Sequence, residues 1–452
     1  MGWKEAAVDQ TRESPASTRS VRGIEKVLPR MTFMRRLIAA GVVAVFFGSL
    51  CLAHADQMDD VVQTLIRASS EESLENIEDT LLKLGPAVVD SLVRLLASED
   101  NALRMTAVRV LGRMDASTDE KLFQALRDDR WKARVAAVSA LAHHQSETVI
   151  QQLLTTLHDS HPAVRSASAR GLGRIGSAEA TDSLILTLQD PQRVVRKSAA
   201  KALARVGDHR ATAPLIAMLQ DDEAVRRESM NALAHIGQPA VQPLAAIVAD
   251  GNRDSSFRQT AALVLRDIAS RDSAPSVADS AAALGVGLRD GDPGLRKASA
   301  DALVIIGQPA SAVVRIALLQ DQNPVVRAEA ATILGRSGSA TTWYAEAVDS
   351  LILALDDHEE RVRAAVRKGL VRIHAIAFRQ LIVALQNNSA LRRMGACTVL
   401  GEIGHRGAIQ PLETLLATEP DPAVRKSIVS ALEVLHAKPV PKAPPLRRPA
   451  AR

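Results

Sequence analysis

An arginine returns at near-constant distance along most of this chain: Arg104, Arg134, Arg165, Arg196, Arg226, Arg258, Arg296, Arg327, Arg363, Arg392 and Arg425, separated by 30, 31, 31, 30, 32, 38, 31, 36, 29 and 33 residues. Such a period marks one small supersecondary unit copied end to end, in which each copy buries its apolar face against the next. The neighbouring residues recur with it. DSHPAVRSASARGLGRIG from Asp159 aligns with DQNPVVRAEAATILGRSG from Asp321, and DPGLRKASADALVIIG from Asp292 with DPAVRKSIVSALEVLH from Asp421. The segment LLKLGPAVVDSLVRLL from Leu81 reads as half of a degenerate first copy.

Each copy spells two helices. In the third, Pro162 suits the first helical position, where its missing N–H costs nothing. Val164, Ala167, Leu172 and Ile175 then share one face at helical spacing, and Gly176 supplies a C-terminal stop. A second helix, TDSLILTLQD, offers Leu184, Ile185 and Leu188. Asp292, Asn323 and Asp421, each before Pro, have the chemistry of N-caps. Aromatic residues are 2% of the chain and apolar residues 47%, so the core must be built from small aliphatic side chains in thin, closely packed layers. Other glycines are expected at helix ends.

These repeats resemble the short HEAT-like repeats first known from phycobilisome lyases, and the resemblance covers about residues 57–436. It implies an all-α, right-handed α-solenoid of about 12 helical hairpins, and a scaffold that binds other proteins. Some relatives of this type attach bilins, and others are metal-dependent hydroxylases. A cofactor-handling enzyme is therefore the alternative that the resemblance implies.

Outside the repeats lie two segments of different character. From Met31, Arg35 and Arg36 precede the uncharged apolar run Leu37–Ala53, and Ala53-His54-Ala55 forms an A-x-A cleavage site before Asp56. That is the order of a secretory signal. We expect residues 1–55 to be an N-terminal extension with a signal over 31–55, translation to start at Met31, and residues 56–436 to work in the periplasm or otherwise outside the cytoplasm. If the leader is retained, residues 37–53 would anchor the chain in a membrane. Residues 437–452, rich in Pro, Lys and Arg, read as a basic tail that cannot fold.

The net charge of +5 is misleading. The leader carries +4 and the tail +5, which leaves the body at −4. A mildly acidic body with almost no aromatic rings has neither the charge nor the stacking groups of a nucleic-acid binder. The partners expected are proteins.

Six units place an aspartate six residues before the marker arginine: Asp128/Arg134, Asp159/Arg165, Asp190/Arg196, Asp290/Arg296, Asp321/Arg327 and Asp357/Arg363. Recurrence in so many units argues for a structural ladder, with each arginine bonding turn carbonyls or carboxylates, and against an active site. Nine residues after the marker stand Arg113, His143, Arg174, Arg205, His235, Arg336 and Arg372. Nine residues turn a helix by about 900°, so these basic groups face away from the ladder. They could grip an acidic partner, or simply favour the helix dipole. Trp343 and Tyr344, on one of two lengthened units, are a second candidate contact for a partner, or fill a gap between Ala-lined helices. No metal or cofactor is expected. His158 and His161 flank Asp159 in a turn that other units build without histidine, and His358-Glu359 is a lone His-Glu pair. Cys397 reads as a small core residue.

Overall fold

The computed structural model describes residues 55–67, 74–271, 274–336 and 344–437, and every regular element among them is helical. The expected leader up to residue 54 and the tail from 438 lie outside the described residues. Ala55, the last residue of the expected leader, opens the first helix, and the last helix runs through Ala437. Among the described residues no helix is long and apolar enough to cross a membrane.

The chain divides into two compact units, Met1–Val149 and Ile150–Arg452. The first contains α1 (Ala55–Arg67), α2 (Leu74–Leu84), α3 (Val89–Leu95), α4 (Asn101–Arg113), α5 (Asp119–Ala125) and α6 (Trp131–Leu141). Helices α2, α4 and α6 pack side by side in one layer, with α1, α3 and α5 in the other. A buried polar staple fastens this unit. His144, just past α6, meets Asp119 at the start of α5 through Nδ1 (2.5 Å) and the Leu111 carbonyl near the end of α4 through Nε2 (3.2 Å).

The division falls inside α7 (Glu147–Thr156). The second unit continues with α8 (Pro162–Ile175), α9 (Thr181–Thr187), α10 (Arg193–Val206), α11 (Thr212–Ala217), α12 (Glu223–Ile236), α13 (Gln238–Ala249), α14 (Ser255–Arg271) and α15 (Ala274–Gly287). Then come α16 (Pro293–Ile306), α17 (Ser311–Gln320), α18 (Pro324–Arg336), α19 (Tyr344–Leu353), α20 (Glu360–Arg372), α21 (His374–Ala384), α22 (Ala390–Ile403), α23 (Ile409–Thr418) and α24 (Pro422–Ala437). The even-numbered helices from α8 onward, which carry the marker arginines, pack on one another as a first layer. Helices α13, α15, α17, α19 and α21 pack successively as a second.

The sequence dictates these helices locally. Helix α8 starts with Pro162 at its first position and ends at Gly176, whose φ of +75° is the left-handed conformation that lets the chain reverse. Val164, Ala167 and Leu172 are buried on its inner face, with Leu184 and Leu188 from the second layer. Each buried leucine contributes about 1.5–3 kcal/mol relative to exposure. Asp292, Asn323 and Asp421 do cap their helices, accepting from Leu295, Val325 and Ala423 N–H groups.

The expectation that the other glycines mark helix ends is wrong for a subset. Gly173, Gly335 and Gly401 lie inside first-layer helices, where a Cβ would come within 2.6 Å of Ala202 Cα, 2.4 Å of Gly369 Cα and 2.9 Å of Ala431 Cα. Neighbouring helices here touch backbone to backbone, which is how a core so poor in large side chains stays filled.

Candidate partner-binding faces

The marker arginines sit four residues after the helix N-cap and turn back beneath the cap. In the second unit Arg165 donates through Nη1 to the carbonyls of Asp159 (2.8 Å) and Ser160 (3.2 Å). Its Nε and Nη2 form a fork on Asp190 of the following turn (2.6 and 3.0 Å). Arg196 repeats the arrangement on the Asp190 and Pro191 carbonyls and on Asp221. Arg327 does so on Asp321, Gln322 and Asp357. The aspartate is thus used three times. Asp190 gives its carbonyl to Arg196 and its carboxylate to Arg165, and it accepts the Gln192 N–H (2.8 Å) to hold its own turn. Burial pushes the carboxyls of Asp190 and Asp357 up. The arginine fork, the turn N–H and the nearby positive charges outweigh it and leave both below the usual carboxylate range. The fork raises Arg165, Arg196 and Arg327 in return.

Other expected rungs deviate. Arg134 and Arg363 donate to the carbonyls of Asp128 and Asp357, and Asp128 pairs with Arg130. Arg296 bonds the Asp290 carbonyl (2.9 Å), but Asp290's carboxylate serves Arg258 and Asp321's serves Arg289. Arg296 is left 3.5 Å from Glu329, whose pKa burial raises. The marker assigned to Arg392 is corrected. Arg393 holds the Asn387 and Asn388 carbonyls and forks onto Glu419, because Ser389 is the N-cap and the fourth residue beyond it is Arg393.

The basic residues nine positions beyond the marker are exposed, but they do not form one uniform positive row. Arg113 and His143 belong to the first unit, and Arg174, Arg205 and His235 to the second. Arg113 is paired with Glu78 and Asp79, and Arg336 with Asp301 (2.7 Å), because long side chains reach back to the acidic groups of the preceding first-layer helix. His143 lies against Gly112, and His235 bonds the Asn231 carbonyl and Arg271. Arg372 borders a small notch with Arg336, His374 and Ile376. Trp343 and the side chain of Tyr344 lie outside the described residues.

The candidate histidines serve the turns, His358 lying 3.2 Å from Arg327 Nη2 through its Nε2. His161 is the N-cap of α8, its Nδ1 accepting from Ala163 N–H (3.2 Å), while His358 is exposed beside Asp357. Cys397 is fully buried, and burial pushes its thiol up to about 12.

The sequence reading missed the second layer's outer face. Leu186 of α9, Val286 of α15, Leu353 of α19 and Val383 of α21 each stand ten residues before an arginine of the ladder. All four are strongly exposed, Leu186 at 69% and Val383 at 68%. Ile316 and Leu319 of α17 add to this face. Helices α11 and α13 carry no charged residue, and α9, α15, α17 and α21 carry one each. A shallow groove beside Leu186 is lined by Leu157, His158, Gln189 and Pro191. The available signal was a recurring apolar residue on a helix too short to bury it.

Residues 119–196, 181–266, 311–377 and 374–433, together more than half of the chain, match the family model of HEAT repeats. No curated protein matches the sequence. Among solved structures, Kap121p bound to Pho4p is similar over 84% of this chain and 49% of its own, at 13% identity and a TM-score of 0.50. Kap121p bound to Nup53p is similar over 92% and 53%, at 13% identity and a TM-score of 0.50. Human deoxyhypusine hydroxylase aligns over 64% and 96%, at 22% identity and a TM-score of 0.25. The chain spans about half the length of the Kap121p structures, and the likeness is one of fold.

Proposed function

This chain belongs to the HEAT repeats, all-α solenoids, and on that premise we propose that it is a non-catalytic scaffold, working outside the cytoplasm, that holds protein partners along its helical layers. The observation that carries the reading is the second-layer face of the second unit. Leu186, Val286, Leu353 and Val383 recur at one register position on helices that carry one charged residue each, or two in α19. Exposed apolar side chains in series, rimmed by polar turns, are what a protein contact buries. The similar Kap121p structures, solved with Pho4p and with Nup53p, support protein partners for this fold. The A-x-A site before Asp56 supports export.

The test places a photo-crosslinking residue at Leu186, at Val383 and, as a control, at Thr332 on the first layer, in the full chain expressed in its native cell. One defined protein joined from positions 186 and 383 and not from 332 is the expected result. Crosslinks to no protein, or the same yield from position 332, overturn the proposal. N-terminal sequencing of the mature protein from the extracytoplasmic fraction should begin at Asp56; an uncleaved chain in the cytoplasm would end the export reading.

A further inference from the structure

Helices α8 and α10 are the only neighbouring first-layer pair described in the second unit that carries no aspartate or glutamate at all. Together they hold eight arginines and lysines. Arg165 and Arg196 are spent on the ladder. Arg170 and Lys201, five residues past those markers, and Arg174 and Arg205, nine past, lie on the side away from the ladder. Arg170 donates to Ser166 Oγ (3.1 Å), and Lys197, Lys201 and Arg205, four residues apart, are exposed along one edge of α10. The two helices are locked in register. Ser166 Oγ and Ser198 Oγ are 2.9 Å apart, and Gly173 leaves so little room that a Cβ would touch Ala202. Arg170 and Arg174 therefore stand level with Lys201 and Arg205, one helix width away, at about 8–10 Å. Partial desolvation and then the adjacent Arg174 charge lower the Arg170 guanidinium pKa, as expected where cations crowd.

We infer that this patch, in addition to the apolar second-layer face and resting on the same scaffold reading, docks an extended acidic protein segment with carboxylates at alternate positions. Residues four apart on a helix rise by about 6 Å, so Lys197, Lys201 and Arg205 form a ruler with roughly that division. Alternate residues of an extended strand are about 6.6–6.8 Å apart on one face. Three carboxylates of such a strand meet the three cations of α10 in turn, and Arg170 and Arg174 flank them. Charge complementarity selects an acidic partner. The charge is local, since the body is mildly acidic as a whole and screening at physiological salt confines the field to about 8 Å. A nucleic acid finds no aromatic ring on these two helices. A membrane presents a plane of charge without the strand's spacing.

The test is fluorescence anisotropy on the full chain with a labelled peptide in which glutamate and serine alternate. It is run alongside a blocked peptide of the same composition and charge, in which pairs of glutamates alternate with pairs of serines. A single-stranded oligonucleotide and vesicles containing phosphatidylserine complete the set. The alternating peptide should bind more tightly than the blocked one. The double change Lys201→Glu/Arg205→Glu should weaken it about tenfold or more, since it turns two attractive pairs into repulsive ones. Lys201→Arg/Arg205→Lys should retain binding, and Lys297→Glu on α16 should not change it. Equal binding of both peptides, stronger binding of oligonucleotide or vesicles, or indifference to the double reversal overturns the inference. If the alternating peptide fails while position 186 still crosslinks a partner, the acidic docking is wrong and the scaffold stands. If the peptide binds and no partner crosslinks at 186 or 383, the second-layer proposal is the one that fails.

Discussion

Replacing Arg327 by alanine should break a deeply enclosed rung of the ladder. Arg327 is 5% exposed, and its fork onto Asp357 is 2.7 and 2.9 Å long. Its loss leaves Asp357 with the Glu359 N–H (2.9 Å) as its remaining close donor, and strands the Asp321 and Gln322 carbonyls beneath the cap of α18. Removing one partner of a buried pair costs about 3–5 kcal/mol, mostly the penalty of the charge left behind. Replacing both partners, as Arg327→Met/Asp357→Leu, should recover most of that loss. Urea unfolding followed by far-UV circular dichroism measures the total. Because a repeat array opens in pieces, hydrogen exchange in α18 and α20 locates it. The pH dependence gives a second check. In the parent, Asp357 lies below its ordinary carboxyl value, so its contribution is present above about pH 4 and is lost as pH falls through the lowered value. In the variant the fork is gone and burial is opposed only by the Glu359 N–H and the nearby His358, so that carboxyl lies higher than in the parent and acidification neutralises the stranded charge. The deficit should therefore shrink below about pH 4. A variant within about 0.5 kcal/mol of the parent at pH 7, or a deficit that does not change with pH, would refute the reasoning.

Gly335→Ala should cost about 1–3 kcal/mol and loosen exchange in both α18 and α20, because its Cβ would meet the Gly369 backbone. Gly176→Ala, which faces open space but has a positive φ, should cost about 1 kcal/mol at the end of α8 alone; the reverse ranking counts against backbone contact as the role of Gly335. Cys397, with its thiol pushed up to about 12, should resist a maleimide at pH 8 in the folded chain and react fully in urea. Equal rates in the two states would show that the site is open.

Much of the architecture was legible because the units repeat. The arginine period, Pro162 and Gly176 define α8 without reference to anything distant. What could not be read was which neighbour a side chain reaches. Asp190 stands six residues before Arg196, so the pair looks self-contained, yet only its carbonyl goes to Arg196 and its carboxylate goes to Arg165. Arg392 and Arg393 are chemically alike, and only the position of the cap at Ser389 selects the second. Arg113 and Arg336 looked like free cations because Glu78 and Asp301 are remote in sequence and adjacent only after stacking. The apolar second-layer face was hidden for a related reason. A leucine at position 186 reads as core until the number of neighbours available to a seven-residue helix is known.

The seams at Arg165–Asp190 and Arg196–Asp221 are interchangeable, since each joins the same atoms across the same boundary. A gene duplication or loss spanning one whole period between these two seams therefore closes on a matching seam. An event of half a period strands a guanidinium on one side and a carboxylate on the other. Such a chain is free to lengthen or shorten by complete modules over evolutionary time, while fractional changes are purged by the cost of orphaned charge.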